Sequence, residues 1–246
     1  MDRVVVDNVS KKFKIGFKKN QGALARCISL FSGVEPKKTI WALKDVSFSV
    51  KAGEIFGIIG RNGSGKSTLL RVIAGIYQSD EGNVLSRGKV ASLIDLTSGL
   101  RDGMKMRDNI EFCGTLFGLT GNMIKDRFDA IVSYSELEEF LETKIYQFSD
   151  GMKSRLAFAL AINCDADVMI FDEIFGVGDL EFRDKSLNKI KDLVSTGKTV
   201  LLASHTLELV EKYCHNVIVL DDGKIITRGD ARVMVDQYRR KKYTAT

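Results

Sequence analysis

The chain has 246 residues, 44% of them hydrophobic, with one proline, four cysteines and two histidines. That supplies a sizeable core for one large or two small domains, and no run approaches the ~20 consecutive apolar residues that cross a bilayer. The formal net charge of +5 gathers at Lys11, Lys12, Lys14, Lys18 and Lys19 and again over Arg239–Lys242; such runs are ordinarily solvated faces that also suit an anionic membrane surface, and with no nucleic-acid-binding motif beside them they give no expectation of a nucleic-acid partner.

The opening MDRVVVDNVS lacks the basic-then-apolar layout of a secretion signal, so a cytoplasmic chain is expected. Arg3–Val9 reads as a strand and Ala42–Val50 as another, with Leu43, Val46, Phe48 and Val50 as its apolar set. Between them, Gln21–Phe31 carries Leu24, Ile28 and Phe31 at helical spacing, then stops at Ser32-Gly33. This reads as a short amphipathic helix on a basic arm, either packed on its own domain or offered to a partner.

Glu54–Ile59 is a short apolar run of the buried-strand kind, and it leads into GRNGSGKS, Gly60–Ser67. Gly60, Gly65, Lys66 and Ser67 fill every defined position of the phosphate-cradling pattern G-x-x-x-x-G-K-[ST]. Gly60, Gly63 and Gly65 permit backbone angles at which successive N–H groups converge on one anion. The helix expected over Ser67–Ala74 aims its positive dipole end at the same place. Lys66 adds a mobile cation for the terminal phosphates and Ser67 a hydroxyl for Mg²⁺.

Asp80-Glu81-Gly82 reads as a turn, and Asn83–Ser86 and Lys89–Ile94 as strands. From Met106 to about Leu141 the pattern is helical, broken at Gly118 and Gly121, as in a helical subdomain inserted into an α/β core. Ser149 is a natural N-cap for a helix with Leu156, Ala159, Leu160 and Asn163 on one side. Val168–Phe171 is a buried strand ending in Asp172-Glu173; Phe182–Val194 is a helix; Thr199–Ala203 is a buried strand ending at Ser204-His205. Val217–Leu220 and the strand from Ile225-Ile226 flank a hairpin turn at Asp221-Asp222-Gly223, and Ala231–Lys242 is a final helix. The cysteines, Cys27, Cys113, Cys164 and Cys214, show no C-x-x-C pairing. With His205 and His215 as the only histidines, reduced and mostly buried thiols are expected rather than a zinc site.

A hydrolytic nucleotide site needs a second contact to Mg²⁺ and a group that orients water. Ligands of open parallel sheets sit beyond the carboxyl ends of the strands. Asp172 there suits the metal and Glu173 the proton of the water, while a neutral His205 after the next strand suits the γ-phosphate. The helix start at Ser149 is a second anion-binding end, which one phosphate chain needs only if another surface brings it.

With FSDGM, Phe148–Met152, in that place, the chain resembles the nucleotide-binding subunit of ABC transporters, whose signature is LSGGQ. The resemblance implies an α/β fold in one domain over residues 1–246: a P-loop NTPase core, an antiparallel β subdomain and an inserted α-helical subdomain. The inserted arm and amphipathic helix then occupy roughly 14–40, the helical subdomain roughly 100–163, and a C-terminal helix with a basic tail roughly 230–246. It implies ATP and Mg²⁺ as cofactors, ATP hydrolysis, and a head-to-tail homodimer with each ATP between the P-loop of one copy and the signature of the other. Gly60, Arg61, Asn62, Gly63, Ser64, Gly65, Lys66, Ser67 and Thr68 take the phosphates; Ser149, Asp150, Gly151 and Met152 meet the partner's nucleotide. Asp172 and Ser67 hold the metal, Glu173 is the base, His205 the switch, and Asp179 in Val177-Gly178-Asp179 couples the two sites.

Three departures stand out. Asp150 replaces a signature glycine, and Met152 replaces glutamine. The coupling glutamine after the strand beyond the P-loop helix is missing, with Asp95 nearest as a substitute metal contact. The adenine-stacking aromatic is Phe13 by position or Trp41 beside ALKDVSF. The diverged signature and the insert resemble the exporters of bacterial surface polysaccharides. That implies a lipid-linked polysaccharide cargo (O-antigen first, capsule or teichoic acid as alternatives) and two copies of a separate transmembrane permease. It also implies a peripheral location on the cytoplasmic face of the inner membrane. Other readings are an ABC ATPase for a different cargo, a soluble ABC protein, or a non-hydrolysing clamp suggested by Asp150.

Overall fold

The computed structural model describes residues 1–15, 38–94, 97–172 and 180–244. β1 (Asp2–Ile15) pairs antiparallel with β2 (Lys38–Lys51) on one side and with β4 (Glu81–Ser86) on the other. Val4, Val6, Val9, Leu43, Val46, Phe48 and Val50 are buried, the alternation of a sheet covered on one face. Both long strands run past the ends expected from their apolar pattern, as far as the pair Ile15 and Lys38. The alternation is hidden by register shifts after Val6, Val9 and Lys11, and by positive φ angles of 51° at Asn8 and Asp45.

The expected turn at Asp80-Glu81-Gly82 is instead a bulged entry into β4, with Ser10 opposite Glu81. The Asp80 carboxylate accepts the Lys12 N–H at 2.8 Å and the Lys11 ammonium at 3.1 Å. Gly82 has φ +72°, and a Cβ there would lie 2.2 Å from the Asn8 carbonyl oxygen, so the close crossing of the strands requires glycine.

The central sheet has the order β5 (Val90–Leu93), β6 (Val168–Asp172), β7 (Thr199–Ala203), β3 (Ile55–Ile59), β8 (Asn216–Asp221), β9 (Lys224–Asp230). All neighbours are parallel except the β8–β9 hairpin. Every residue of β3 and β7 is buried, as their unbroken apolar text requires of strands covered on both faces. Phe56 and Ile58 pack with Leu69, Leu201, Val6 and Leu43 towards the antiparallel sheet; Ile55 and Ile59 pack with Phe158, Phe171 and Val200 on the opposite face.

α1 (Lys66–Ile73) follows the glycine loop. α2 (Met106–Leu116), α3 (Gly121–Ser135) and α4 (Asp150–Ile162) surround a separate cluster that includes Met106, Ile110, Ile131, Leu156 and Leu160. Gly118, at φ +80°, follows the end of α2, and the Thr120 side chain accepts the Met123 N–H to start α3. α4 corrects the expected one-sided pattern. Every residue from Leu156 to Ile162 is buried, because the helix lies between the sheet and the helical block. Asn163 lies beyond its end as the C-cap, its Nδ2 donating to the Ala159 carbonyl at 2.8 Å.

α5 (Leu180–Ser195), α6 (Leu207–Tyr213) and α7 (Ala231–Thr244) complete the described chain. α6 has no counterpart in the sequence reading; at seven residues it is too short to show a helical period. Cys113, Cys164 and Cys214 are buried, and burial pushes their thiols up to about 11, 11 and 12. Among the described residues no helix is long and apolar enough to cross a membrane. The predicted helix at Gln21–Phe31 lies outside the described residues, as does Cys27.

Candidate nucleotide site

The buried strand β3 ends at Ile59, and the chain turns through Gly60–Gly65 into α1. A Cβ on Gly60 would lie 2.1 Å from the Leu220 carbonyl oxygen, and one on Gly65 would lie 2.5 Å from that of Ala42. The loop is therefore pressed against β8 and β2 at positions that admit no side chain. Gly65 caps α1 in left-handed backbone, φ 108°, with no side chain across the first turn. The first N–H groups of α1 are thus left for an external anion.

Lys66 is only 6% exposed, and its ammonium donates to the carbonyls of Gly60 at 2.9 Å and Arg61 at 3.1 Å, so the cation is held over the loop. Ser64 differs from its neighbours. It is buried, its N–H donates to Arg61 O, its carbonyl accepts the Gly223 N–H, and its buried hydroxyl has no partner. Ser64 therefore props the loop from inside. Arg61, Asn62 and Gly63 are exposed, Ser67 and Thr68 half-buried. A pocket of about 260 Å³ opens between Ala42, Asn62, Gly65, Lys66, Ser67 and Thr68.

Register brings the other predicted groups to the same edge. Ile58 and Asp172 both pair with Ala203, so Gly60, Asp172 and Ser204-His205 leave three adjacent strands at their carboxyl ends. Asp172 is half-buried. His205 is exposed and lines a recess of about 480 Å³ with Gly60, Arg61, Asn62, Leu207 and Tyr238. Tyr238, on α7, was not singled out from sequence: its helix was legible, its docking beside the glycine loop was not. Burial, then the Asp221 charge, raises the Tyr238 hydroxyl, opposed by Arg61. Glu173, Asp179 and Asp95 lie outside the described residues.

Phe13 and Trp41 belong to successive cross-strand pairs, Phe13 with Ile40 and Lys12 with Trp41, so their rings lie on opposite faces of the ladder. The Phe13 ring meets Tyr77 edge-on at 5.6 Å, and the Lys12 ammonium stands 5.0 Å from the centre of the Trp41 ring.

The second helix start has the predicted cap. Ser149 is extended, and its hydroxyl accepts the Met152 N–H at 3.2 Å. Asp150, the first helical residue, is exposed, and Gly151 and Met152 are half-buried. Lys153 reaches back from this turn to Asp102 at 2.9 Å. The glycine loop is thus carried by the sheet, and Ser149 by the helical block.

A strand, a glycine loop with an uncapped helix start, and acid and histidine at the ends of neighbouring parallel strands define a P-loop nucleotide-binding protein. Comparison with known proteins narrows the class. Residues 43–176 match the ABC transporter family. The chain is similar to the O-antigen export system ATP-binding protein RfbB of Klebsiella pneumoniae, 37% identical over 198 residues and 80% of each chain. It is similar to the teichoic acids export ATP-binding protein TagH of Bacillus cereus, 37% identical over 236 residues, 96% of this chain and 42% of that one. Against several other curated relatives it spans about half their length. Its fold is similar to the dimeric structure of MJ0796, a bacterial ABC transporter cassette, with TM-score 0.75 and 25% identity over 93% of this chain and 99% of that one. The chain belongs to the ABC transporter family and carries its ATP-binding cassette.

Proposed function

We propose that this chain is the ATPase subunit of an exporter of a lipid-linked surface polysaccharide, with O-antigen as the first cargo and teichoic acid as the alternative. Two copies work head to tail on the cytoplasmic face of the inner membrane, beside two copies of a separate permease. One observation carries the ATPase half: Gly60, Asp172 and His205 leave adjacent strands at one sheet edge, while Ser149 caps a helix built on a different core. The names of the relatives, export ATP-binding proteins for O-antigen and teichoic acid, support the cargo.

In this reading the uncapped N–H groups of α1 take the phosphates, and the Lys66 ammonium exchanges loop carbonyls for β- and γ-phosphate oxygens. The Ser67 hydroxyl and Asp172 carboxylate are hard oxygen donors that fit Mg²⁺, with Asp95 as a third. Bound there, the metal would neutralise charge on the phosphate oxygens. Glu173 takes the proton of the attacking water, and His205 hydrogen-bonds the γ-phosphate. Ser149, Gly151 and Met152 meet the nucleotide of the other copy, with the Asp150 carboxylate turned away from it. Asp179 links the two sites, and Phe13 or Trp41 stacks on adenine. The Gln21–Phe31 segment and the preceding Lys18 and Lys19 face the anionic headgroups of membrane and cargo.

Reconstitution with the permease in vesicles tests this. Hydrolysis of ATP accompanied by translocation of the lipid-linked polymer is expected. Hydrolysis with no polymer moved, or a chain that never copurifies with a membrane protein, contradicts it.

A further inference from the structure

Glu136 stands outside the nucleotide site, at the junction of three helices. It is the C-cap of α3 in left-handed backbone, φ 57°, a place where glycine or asparagine is usual. Its carboxylate reaches two other helices. One oxygen accepts from the Arg155 guanidinium on α4 at 2.7 Å, the other from the Lys185 ammonium on α5 at 2.6 Å.

Both cations are also seated on aromatic rings. The Arg155 guanidinium lies 5.0 Å from the centre of Phe182, and the Lys185 ammonium 4.5 Å from Tyr134 and 5.7 Å from Phe182. Lys185 donates to the Tyr134 carbonyl at 3.0 Å, and the Tyr134 hydroxyl donates to the Lys185 carbonyl at 3.2 Å. Phe182 and Tyr134 in turn pack against Phe158 of α4. The carboxylate therefore joins two cations that rings already orient, which fixes direction as well as distance.

The three helices differ in what they carry. α3 and α4 belong to the helical block, and α4 begins at the capped turn Ser149–Met152. α5 begins at Leu180, immediately after Asp179 and the segment that opens with Glu173. The junction is thus a tie between the proposed trans contact and the proposed hydrolytic segment. The Glu136 side chain is 48% exposed, so these pairs add little to stability and their consequence is geometric.

We propose that Glu136 is a positioning residue for ATP hydrolysis: by gripping Arg155 and Lys185 together it fixes the angle between the signature helix and the helix behind Glu173–Asp179. Closure on ATP then moves α4 and α5 as one unit. The inference rests on the ATPase reading above.

The test uses the complex with its membrane partner. Glu136→Gln is expected to lower kcat about tenfold and leave KM for ATP within about twofold, because the P-loop is untouched. Lys185→Met should act in the same direction, and the double variant should be no worse than the worse single, since both break one device. Glu136→Asp keeps the charge but, one methylene shorter, reaches one cation at a time and should fall between. Spin labels introduced through Ala130→Cys on α3 and Asn188→Cys on α5, both exposed, with Cys27→Ser, should give one narrow distance that broadens with Glu136→Gln. Unchanged kcat, multiplying losses in the double variant, a parallel loss of ATP affinity, or an unbroadened distance overturns the proposal. If the unaltered complex does not hydrolyse ATP, the ATPase reading fails instead, and the label distances still decide whether Glu136 sets the angle.

Discussion

Two helices begin where the phosphates are proposed to lie, and they begin in opposite ways. α1 starts from a glycine in left-handed backbone, with no cap across its first turn and a buried cation, Lys66, as its first residue. α4 starts from Ser149 in extended backbone, with its own hydroxyl on the Met152 N–H and an acid, Asp150, as its first residue. The first start leaves its donors for a ligand and adds positive charge. The second satisfies one donor from within and complements its dipole with a carboxylate. A self-capped, acid-bearing start holds its helix without a ligand and offers little attraction to a free anion. It becomes useful when a phosphate already bound elsewhere is pressed against it, which is the logic of a site shared between two copies.

The contrast can be broken most severely at Lys66. Lys66→Ala removes the cation of the open end, and ATP affinity measured by calorimetry should fall at least about 100-fold, about 2.7 kcal/mol. Affinity equal to that of the unaltered chain would mean that backbone donors alone suffice.

Ser149→Ala acts on the self-capped end and should have two readouts. Thermal unfolding should show a loss of about 1 kcal/mol from the missing cap. ATP-driven dimerisation should weaken about tenfold, while ATP affinity of the single chain stays unchanged. A fall in single-chain affinity would place Ser149 on its own nucleotide and erase the contrast.

Asp150→Gly should move the second start towards the first. Dimerisation on ATP should strengthen about three- to tenfold as a like charge leaves the phosphates. Stability should drop by about 1 kcal/mol for glycine in the first turn. Sedimentation with and without nucleotide reads the first effect and denaturant titration the second.

The smallest effect belongs to Asp80, which ties down the ladder that carries Phe13 and Trp41. The Lys12 N–H, then the Lys11 ammonium, holds its carboxyl below the ordinary carboxylate range. A depressed folded value means that its contribution is present above the unfolded value and lost as pH falls through the folded one. Asp80→Asn should therefore melt slightly earlier at neutral pH, and the difference should shrink once pH falls below the ordinary carboxylate range and vanish below the depressed folded value.

Much of this contrast was legible in the residues, because both helix starts are built from local determinants. The unbroken apolar run before Gly60 gives the strand, the glycines give the turn, and Ser149 gives the cap. The ends of Asp172 and His205 at one edge followed from apolar runs that only a sheet covered on both faces can bury. What escaped was set by partners distant in sequence. β1 and β2 run to Ile15 and Lys38 because they pair with each other, and bulges at Asn8 and Asp45 scramble the alternation that would announce it. α4 reads as one-sided, yet from Leu156 to Ile162 it is buried all round once the sheet and the helical block close on it. Ser64 looks like a loop hydroxyl for a ligand, but its side chain is buried and its backbone is tied to Gly223 and Arg61. Tyr238 and the three-helix junction at Glu136 come together only by packing.

The most direct test is the structure of the Glu173→Gln variant with Mg-ATP and its membrane partner. Disabling the base should trap two copies with each ATP between the Gly60–Ser67 loop of one and Ser149 of the other, the serine within hydrogen-bond reach of the γ-phosphate. Two separate copies, or a Ser149 far from any nucleotide, would contradict the shared site.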